Sequence, residues 1–541
     1  MGQGALIRRR GFLMAGGAAA LAGCGERPAA PPLQGGWVGA SDARGHRLRA
    51  TLPAPGDGPL RRTGVLIVGG GIAGLACARA LDQAGLDEFA LLELEDQAGG
   101  NSRSHRMAGM ACPLGAHYLP LPGPQAHEVA ELLHALGLAR QEFGRTVYDE
   151  RHLCHSPQER LFFEGQWHEG LLPPAGDAAT LAQYRHFARL VAQAGAELGF
   201  AMPTRRARWS AGHATLDGQT FAAWLDGQGL TAAPLRWYLD YCCRDDYGAP
   251  AAEVSAWAGL HYFASRHGFH APGDQEGERE AVLTWPEGNA WLARRLGERL
   301  NDRLHAGRTV LRISPRRHEV ELLAWNEATG APERWVAGQL VLATPLFIAL
   351  RLLDAPPPAL REAAARLQYA PWLVANLQLD RPLLPRLGLP SAWDSVVYGS
   401  TEALGYVDAM HQRLDPRPGP TVLSAYRALT RAQRGTLLGV PWADWARRVV
   451  TELQATHPDL SERLQRVDLM RWGHAMSIPV PGLRGSPALQ ALHEPQGRLH
   501  FAHSDLAGYS VFEEAYTRGV QVATQVAAQL TLRRRAAGTA G

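Results

Sequence analysis

Gly64-Val65-Leu66-Ile67-Val68-Gly69-Gly70-Gly71-Ile72-Ala73-Gly74 decides the fold. The first five residues form a short apolar, β-branched run, which predicts a buried parallel strand. Gly69, Gly71 and Gly74 then fill a G-x-G-x-x-G spacing. The first glycine permits a tight turn, the second lets a pyrophosphate approach the backbone, and the third lets helix and strand pack closely. Ile72 and Ala73 open the helix, which continues through residues 75–81 and stops near Gly85. Its free N–H groups point at the phosphates. A second strand, Phe89-Ala90-Leu91-Leu92, ends in Glu93, which lies 19 residues past Gly74. A carboxylate at that distance takes the ribose hydroxyls of an adenosine.

Composition removes several chemistries. The 541 residues include 55 basic side chains of the Lys/Arg type, and every one is arginine. A chain without lysine has no Schiff-base enzyme and no lysine-dependent phosphate loop. Of the formal charge of +3, all three units belong to Arg8, Arg9 and Arg10 in an acid-free opening segment. The rest is balanced, so no basic face for nucleic acid is expected.

The opening segment reads as an address. Arg9-Arg10-Gly11-Phe12-Leu13 has the form of a twin-arginine export signal, followed by a short apolar stretch over residues 12–22. A permanent membrane helix needs about 20 apolar residues, so this one is too short. Leu21-Ala22-Gly23-Cys24 resembles a lipobox, which makes Cys24 the lipidation site and future N-terminus. The expectation is a periplasmic protein exported folded, touching the membrane only through a lipid. Residues 24–62, rich in Pro, Gly and Ala, read as a tether.

Further along, Leu92-Glu93-Leu94-Glu95-Asp96-Gln97-Ala98-Gly99-Gly100 resembles the flavin amine oxidase and phytoene desaturase superfamily, where a Gly-Gly pair follows the ribose-binding acid. That family places Arg directly after the pair; here Asn101 stands there and Arg103 follows. Gly115-Ala116-His117-Tyr118 resembles the segment running past the flavin ring. Trp285-Pro286-Glu287-Gly288-Asn289, the strand around Val310, the strand-to-turn around Ala343, and Phe501-Ala502-His503-Ser504-Asp505 resemble its later cofactor segments in the family's order. Gly508-Tyr509-Ser510-Val511 then opens a helix towards the flavin. The segment 501–505 also resembles bacterial polyamine and spermidine dehydrogenases.

The resemblance implies FAD, an α/β fold and a discontinuous Rossmann-like cofactor domain made of residues 63–125, 275–350 and 485–532. An inserted α+β substrate side comprises a helical part, 126–274, and a substrate domain, 351–484, with 533–541 as a tail. The implied cofactor residues are Gly69, Gly71, Ile72, Ala73, Gly74, Glu93, Gly99, Gly100, Arg103, Val310, Ala343, Asp505, Ser510 and Val511. The implied activity is an FAD-dependent oxidoreductase that takes hydride from a small-molecule amine, with oxygen, a quinone or a carrier protein as acceptor. Candidate active-site residues are His117, Tyr118, Trp285, Trp472, His474 and Tyr509, although core packing explains each aromatic equally well. In many members of the family a lysine holds a water near the flavin N5; this chain has none, and His117 or Asn289 are candidates for that place. Two alternatives remain open: a desaturase or protoporphyrinogen oxidase-like enzyme on an apolar substrate, and a flavoprotein partner without turnover.

Other groups carry less. Cys242 and Cys243 read as two buried thiols, because adjacent cysteines close a strained ring. His152-Leu153-Cys154-His155 fits no common zinc spacing, and no metal is expected.

Overall fold

The computed structural model describes residues 33–49, 58–273, 281–413, 415 and 417–538. The export signal and Cys24 lie outside the described residues. Among the described residues no helix is long and apolar enough to cross a membrane.

The glycine-rich stretch builds the centre of a seven-stranded sheet. Leu60–Val68 runs parallel to Phe89–Leu92 on one side and to Ala331–Leu342 on the other. Leu499–Phe501 and Leu304–His305 add parallel neighbours. Val320–Asn326 and Arg308–Pro315 extend the sheet as an antiparallel pair. Residues 65–68, 89–92 and 340–342 are all buried, as expected of strands covered on both faces. Two helices cover one face: Ile72–Gln83 and Phe512–Gly538. Gly519 permits their approach, since a Cβ there would stand 2.2 Å from Ala73 O. The second helix runs to residue 538, so residues 533–538 of the expected tail continue it.

The substrate side is an eight-stranded mixed sheet. Its middle strands are Leu464–Ser477, Tyr369–Leu379, Thr421–Ala428 and Ala403–Asp408, all antiparallel. Asp394–Val397 follows, and then Glu159–Phe163 and Gln166–Glu169. Those last two strands come from the 126–274 segment, which sequence alone reads as helical. Their four or five residues are too few to impose a visible alternation. The same segment holds a hairpin, Ala139–Glu142 with Arg145–Tyr148, and several helices, of which Ala178–Leu198, Ala233–Tyr247 and Ala256–Ala264 share one core around Tyr184, Phe187 and Phe221. Cys242 and Cys243 are free, buried thiols in that core.

The tether reading fails for residues 35–49. Gly35–Trp37 is a strand that pairs in parallel with Val467, Asp468 and Leu469 at the edge of the mixed sheet. Asp42–His46 is a short helix capped by the Ser41 hydroxyl. Pro- and Gly-rich composition suggested a loose linker, but the segment is anchored by long-range pairs that composition does not reveal.

Candidate functional site

A single cavity of about 470 Å³ runs between the two sheets. That volume is within the ordinary range for a ligand site, about 300–1,000 Å³.

One end is the glycine turn. Gly69 takes a φ of +105°, which favours glycine, and its N–H donates to Leu92 O at 2.9 Å. A Cβ on Gly74 would lie 1.9 Å from Gly69 O, so helix and turn touch there. At Gly71 the opposite holds: the nearest atom to a Cβ is Gly100 Cα at 4.0 Å, and the open space is the cavity. The helix Ile72–Gln83 has no side-chain cap at Gly71, leaving its first amides to face whatever fills that space. Ile72 and Ala73 line it. Gly99 N donates to Gly70 O at 2.7 Å, which sets Gly99 and Gly100 against the turn.

Glu93 lies beside the turn. Its carboxylate accepts from Gly70 N at 2.7 Å and Glu95 N at 2.9 Å. A carboxylate has about four acceptor positions, so about two remain for hydroxyl groups in the cavity. Burial pushes the Glu93 carboxyl above its usual range, and those two amides oppose the shift. Val310 and Ala343 line the same end.

Asp505 offers a second set of acceptors. It is fully buried; one oxygen takes Leu346 N at 2.9 Å and the Tyr369 hydroxyl at 2.5 Å. Its other oxygen, Oδ1, has no hydrogen bond. His503 Nδ1 is 3.2 Å from Oδ1 and also accepts from Asp505 N at 3.1 Å. Burial works to raise the Asp505 carboxyl; His503, Tyr369 and the Leu346 amide outweigh it and hold it below the usual range. A buried, ionised oxygen without a donor, opening on the cavity, is what a hydroxyl-rich ligand would satisfy. Ser510 and Val511 complete this wall at the start of the helix Phe512–Gly538. These groups fit a dinucleotide: a bare helix N-terminus and open glycine for phosphates, and unsatisfied carboxylates for sugar hydroxyls.

Arg103 does not join them. Its guanidinium donates to Gly100 O at 3.2 Å and lies over the Trp472 ring, 5.4 Å from the centroid, behind the cavity wall. Asn101 occupies the wall position after the glycine pair, with its amide on Ala475 O at 2.6 Å.

The far end is aromatic and acidic. His117 stacks on Tyr426 at 4.4 Å and meets Tyr118 edge-on at 5.0 Å. Burial lowers the His117 imidazole to about 4, so the ring is neutral near pH 7. His474 lies instead against Phe347 and Tyr369, on the Asp505 side of the cavity, and is likewise lowered to about 4, first by burial and then by Arg434 and Arg49. Trp472 shares the aromatic wall and donates to Leu114 O at 2.6 Å. Asn289, also here, donates to Tyr118 O at 2.8 Å and leaves its buried Oδ1 unpartnered.

Asp245, which the sequence offers together with Asp246 as an acidic entrance favouring an amine, lines this end. Its side chain opens on the cavity from the helix Ala233–Tyr247. Burial raises its carboxyl to about 7, with Asp246 adding to the rise and Arg266 and Arg244 opposing it. Asp246 itself is neutralised by Arg266 at 3.1 Å. Behind Asp245 lie Asp394 and Glu159, register partners on neighbouring parallel strands. Burial pushes Asp394 well above its usual range, and Asp245 and Glu159 push it further. An acid pair within an apolar helical pattern was the only signal in the sequence for Asp245; Asp394 gave none.

Trp285 and Tyr509 stand outside the cavity. Trp285 donates to His152 Nδ1 at 2.9 Å and stacks on Trp291 with rings 6° from parallel. Tyr509 donates to Glu514 Oε1 at 3.1 Å and lies 2.9 Å from His261 Nε2, fully buried. Both are packing residues. A Trp285→Phe protein is expected to keep its turnover number within about twofold and lose about 1 kcal/mol of stability, one buried hydrogen bond. Steady-state kinetics and thermal melting check the two halves.

Comparison with known proteins agrees with this geometry. The family model described as flavin containing amine oxidoreductase matches residues 72–527. The flavin-containing amine oxidase B of Homo sapiens is 26% identical over 299 residues, 54% of this chain and 52% of that protein. The chain thus spans about half the length of the curated relatives it matches. Among solved structures, wild-type putrescine oxidase bound to putrescine superposes with a TM-score of 0.64 at 18% identity, covering 87% of this chain and all of that one. Cyclohexylamine oxidase from Brevibacterium oxydans gives 0.65 at 18% identity, covering 87% and 99%. FAD is therefore the cofactor, and the chain belongs to the flavin-containing amine oxidoreductases, a family of FAD-dependent oxidoreductases.

Proposed function

We propose that the protein oxidises a primary amine bearing a second cationic group, a diamine or polyamine, at the periplasmic face of a bacterial membrane. The observation that carries this reading is Asp245, a partly buried carboxyl facing the same cavity as the aromatic wall. When bound, FAD supplies an acceptor for the two electrons and the proton of the C–H bond next to nitrogen. The protein does the rest. His117, Tyr118 and Trp372 enclose the carbon chain and exclude water. The neutral His117 ring adds no charge that would repel a cation. Asp245 holds the distant ammonium, and Asp394 and Glu159 stand behind it as further carboxyls. The near nitrogen, remote from any carboxylate partner, is left to react in its uncharged form. The product is an imine, which water hydrolyses to an aldehyde.

An apolar lipid or tetrapyrrole fits less well, because it would leave Asp245 without a cation to offset its burial. The absence of lysine supports transfer of electrons to a quinone or carrier protein in preference to oxygen. The arginine pair at residues 9–10 and the lipobox at residues 21–24 support export and a lipid anchor at Cys24. The test is anaerobic flavin reduction, followed by absorbance, against putrescine, spermidine and monoamines of matched length. Bleaching by the di- and polyamines at micromolar to millimolar concentrations is expected. Failure of every amine to bleach the flavin would refute the reading and leave a partner protein without turnover. Hydrogen peroxide released in step with amine consumption would overturn the choice of acceptor.

A further inference from the structure

Residues 35–49 lie upstream of the segment matched by the family model, yet Gly45 and Leu48 line the cofactor cavity. They do so at its adenosine end, where Glu93, Leu94 and Val310 also open on it. The segment is fastened along its length. Gly35–Trp37 is hydrogen-bonded to the edge of the mixed sheet, and Val38 N continues the ladder to Leu469 O at 2.9 Å. Ser41 N donates to Glu95 Oε1 at 2.8 Å. Arg44 donates to Leu94 O at 3.3 Å and pairs with Asp96 at 2.8 Å. Arg47 grips Glu327 with two hydrogen bonds, at 3.0 and 2.9 Å, while lying over Trp325. Leu48 O accepts from Arg351 at 2.8 Å. Glu93, Leu94, Glu95 and Asp96 form the loop that carries the ribose acid, so the segment is clamped to the cofactor loop itself.

We propose that residues 35–49 are a strap belonging to the FAD site: Gly45 and Leu48 cover the adenosine, and the strap must lift for FAD to enter or leave. The fastenings are of unequal strength. The strand pairing and the backbone bond to Glu95 are sheltered, whereas Arg47 is substantially exposed and Arg44 pairs with the exposed Asp96. Exposed ion pairs are weak singly. The strap therefore opens from its Arg44–Arg49 end while Gly35–Trp37 stays paired. FAD exchange is then slow but not forbidden, and its rate is set by arginine pairs about 50 residues or more from their partners along the chain.

The experiment uses the full-length FAD-loaded protein. FAD release into an excess of a flavin-scavenging apoprotein is followed by flavin fluorescence. Arg44→Ala is expected to release FAD about tenfold faster, and a double Arg44→Glu, Arg47→Glu variant faster still. Arg44→Lys should return most of the retention. Arg151→Ala, which breaks an exposed pair with Asp149, should change nothing. A merely structural segment would lower the melting temperature in these variants without changing FAD release, and that result overturns the proposal. As a second readout, trypsin should cut after Arg44, Arg47 and Arg49 at least about tenfold more slowly in the FAD-loaded protein than in the apoprotein, relative to cuts elsewhere. Equal cutting at those sites with and without FAD, or flavin that stays with the denatured chain, also overturns it.

Discussion

A Gly74→Ala protein is expected to purify nearly colourless. The added methyl would lie 1.9 Å from Gly69 O and 3.3 Å from Ala343 Cβ. Neither can yield cheaply: Gly69 N is bonded to Leu92 O, and Ala343 N to Val68 O. The turn must shift, and the amides that would meet the phosphates shift with it. Overpacking of this kind costs about 1–3 kcal/mol, and passed on to cofactor binding that is roughly a tenfold to hundredfold loss of FAD affinity. Gly71→Ala separates protein from cofactor. Its backbone, with φ −71° and ψ −178°, is open to any residue, and its methyl meets no protein atom within 4 Å except Gly100 Cα at 4.0 Å. The apoprotein should melt as the wild type does, and only FAD affinity should fall. Flavin fluorescence titration and thermal melting of apoprotein check both variants; a fully flavinated Gly74→Ala protein would contradict the geometry.

The second large effect is expected at Asp245. Asp245→Asn removes the carboxylate proposed to hold the distal ammonium. Losing one partner of a desolvated charge pair costs about 2 kcal/mol or more, roughly 30-fold in KM for a diamine. A monoamine of the same length should be affected much less, and the contrast between the two substrates is the measurement. Asp245 also sets a pH dependence. Its folded carboxyl sits at about 7, above the ordinary 3.8, because burial disfavours the ion. The substrate-free protein therefore binds a proton more tightly folded than unfolded. It loses stability as pH rises from about 4 to about 7. The Asn variant should lack that slope and melt higher than wild type above pH 7. Diamine turnover in the wild type should rise as pH passes through about 7, where folded Asp245 ionises and gains its cation.

The cofactor half of the site was legible because each of its residues answers a local demand. Gly69, Gly74 and Glu93 are fixed by a turn, a close approach and an acid at a set distance, all within 30 residues. The strand and helix there follow from the same stretch. The substrate half was not. Asp245 lines the cavity, Asp394 stands behind it and Tyr426 backs His117, and only packing brings these three distant elements together. Trp285 shows the converse error: an aromatic next to a cofactor turn turned inward to Trp291 and His152, a choice that its neighbours in sequence do not reveal. Arg103 was placed one wall too far forward, since Asn101 took the position beside the glycine pair. The strap was hidden by its composition, because its partners Glu95, Asp96 and Glu327 lie far along the chain.

The strand Gly35–Trp37 also has a consequence for how the protein is made. Its partner Val467 is about 430 residues away, and no nearer strand offers that edge. At about 5–20 residues per second, a ribosome needs roughly 20 to 90 s to supply the missing edge. For that interval the opening segment waits unpaired while most of both sheets is still being synthesised. Asp505 and Ser510 emerge later still. Closure of the mixed sheet, fastening of the strap and completion of the cofactor wall therefore fall together at the end of synthesis, as one late and cooperative event. Residues 35–37 are thus among the last to pair.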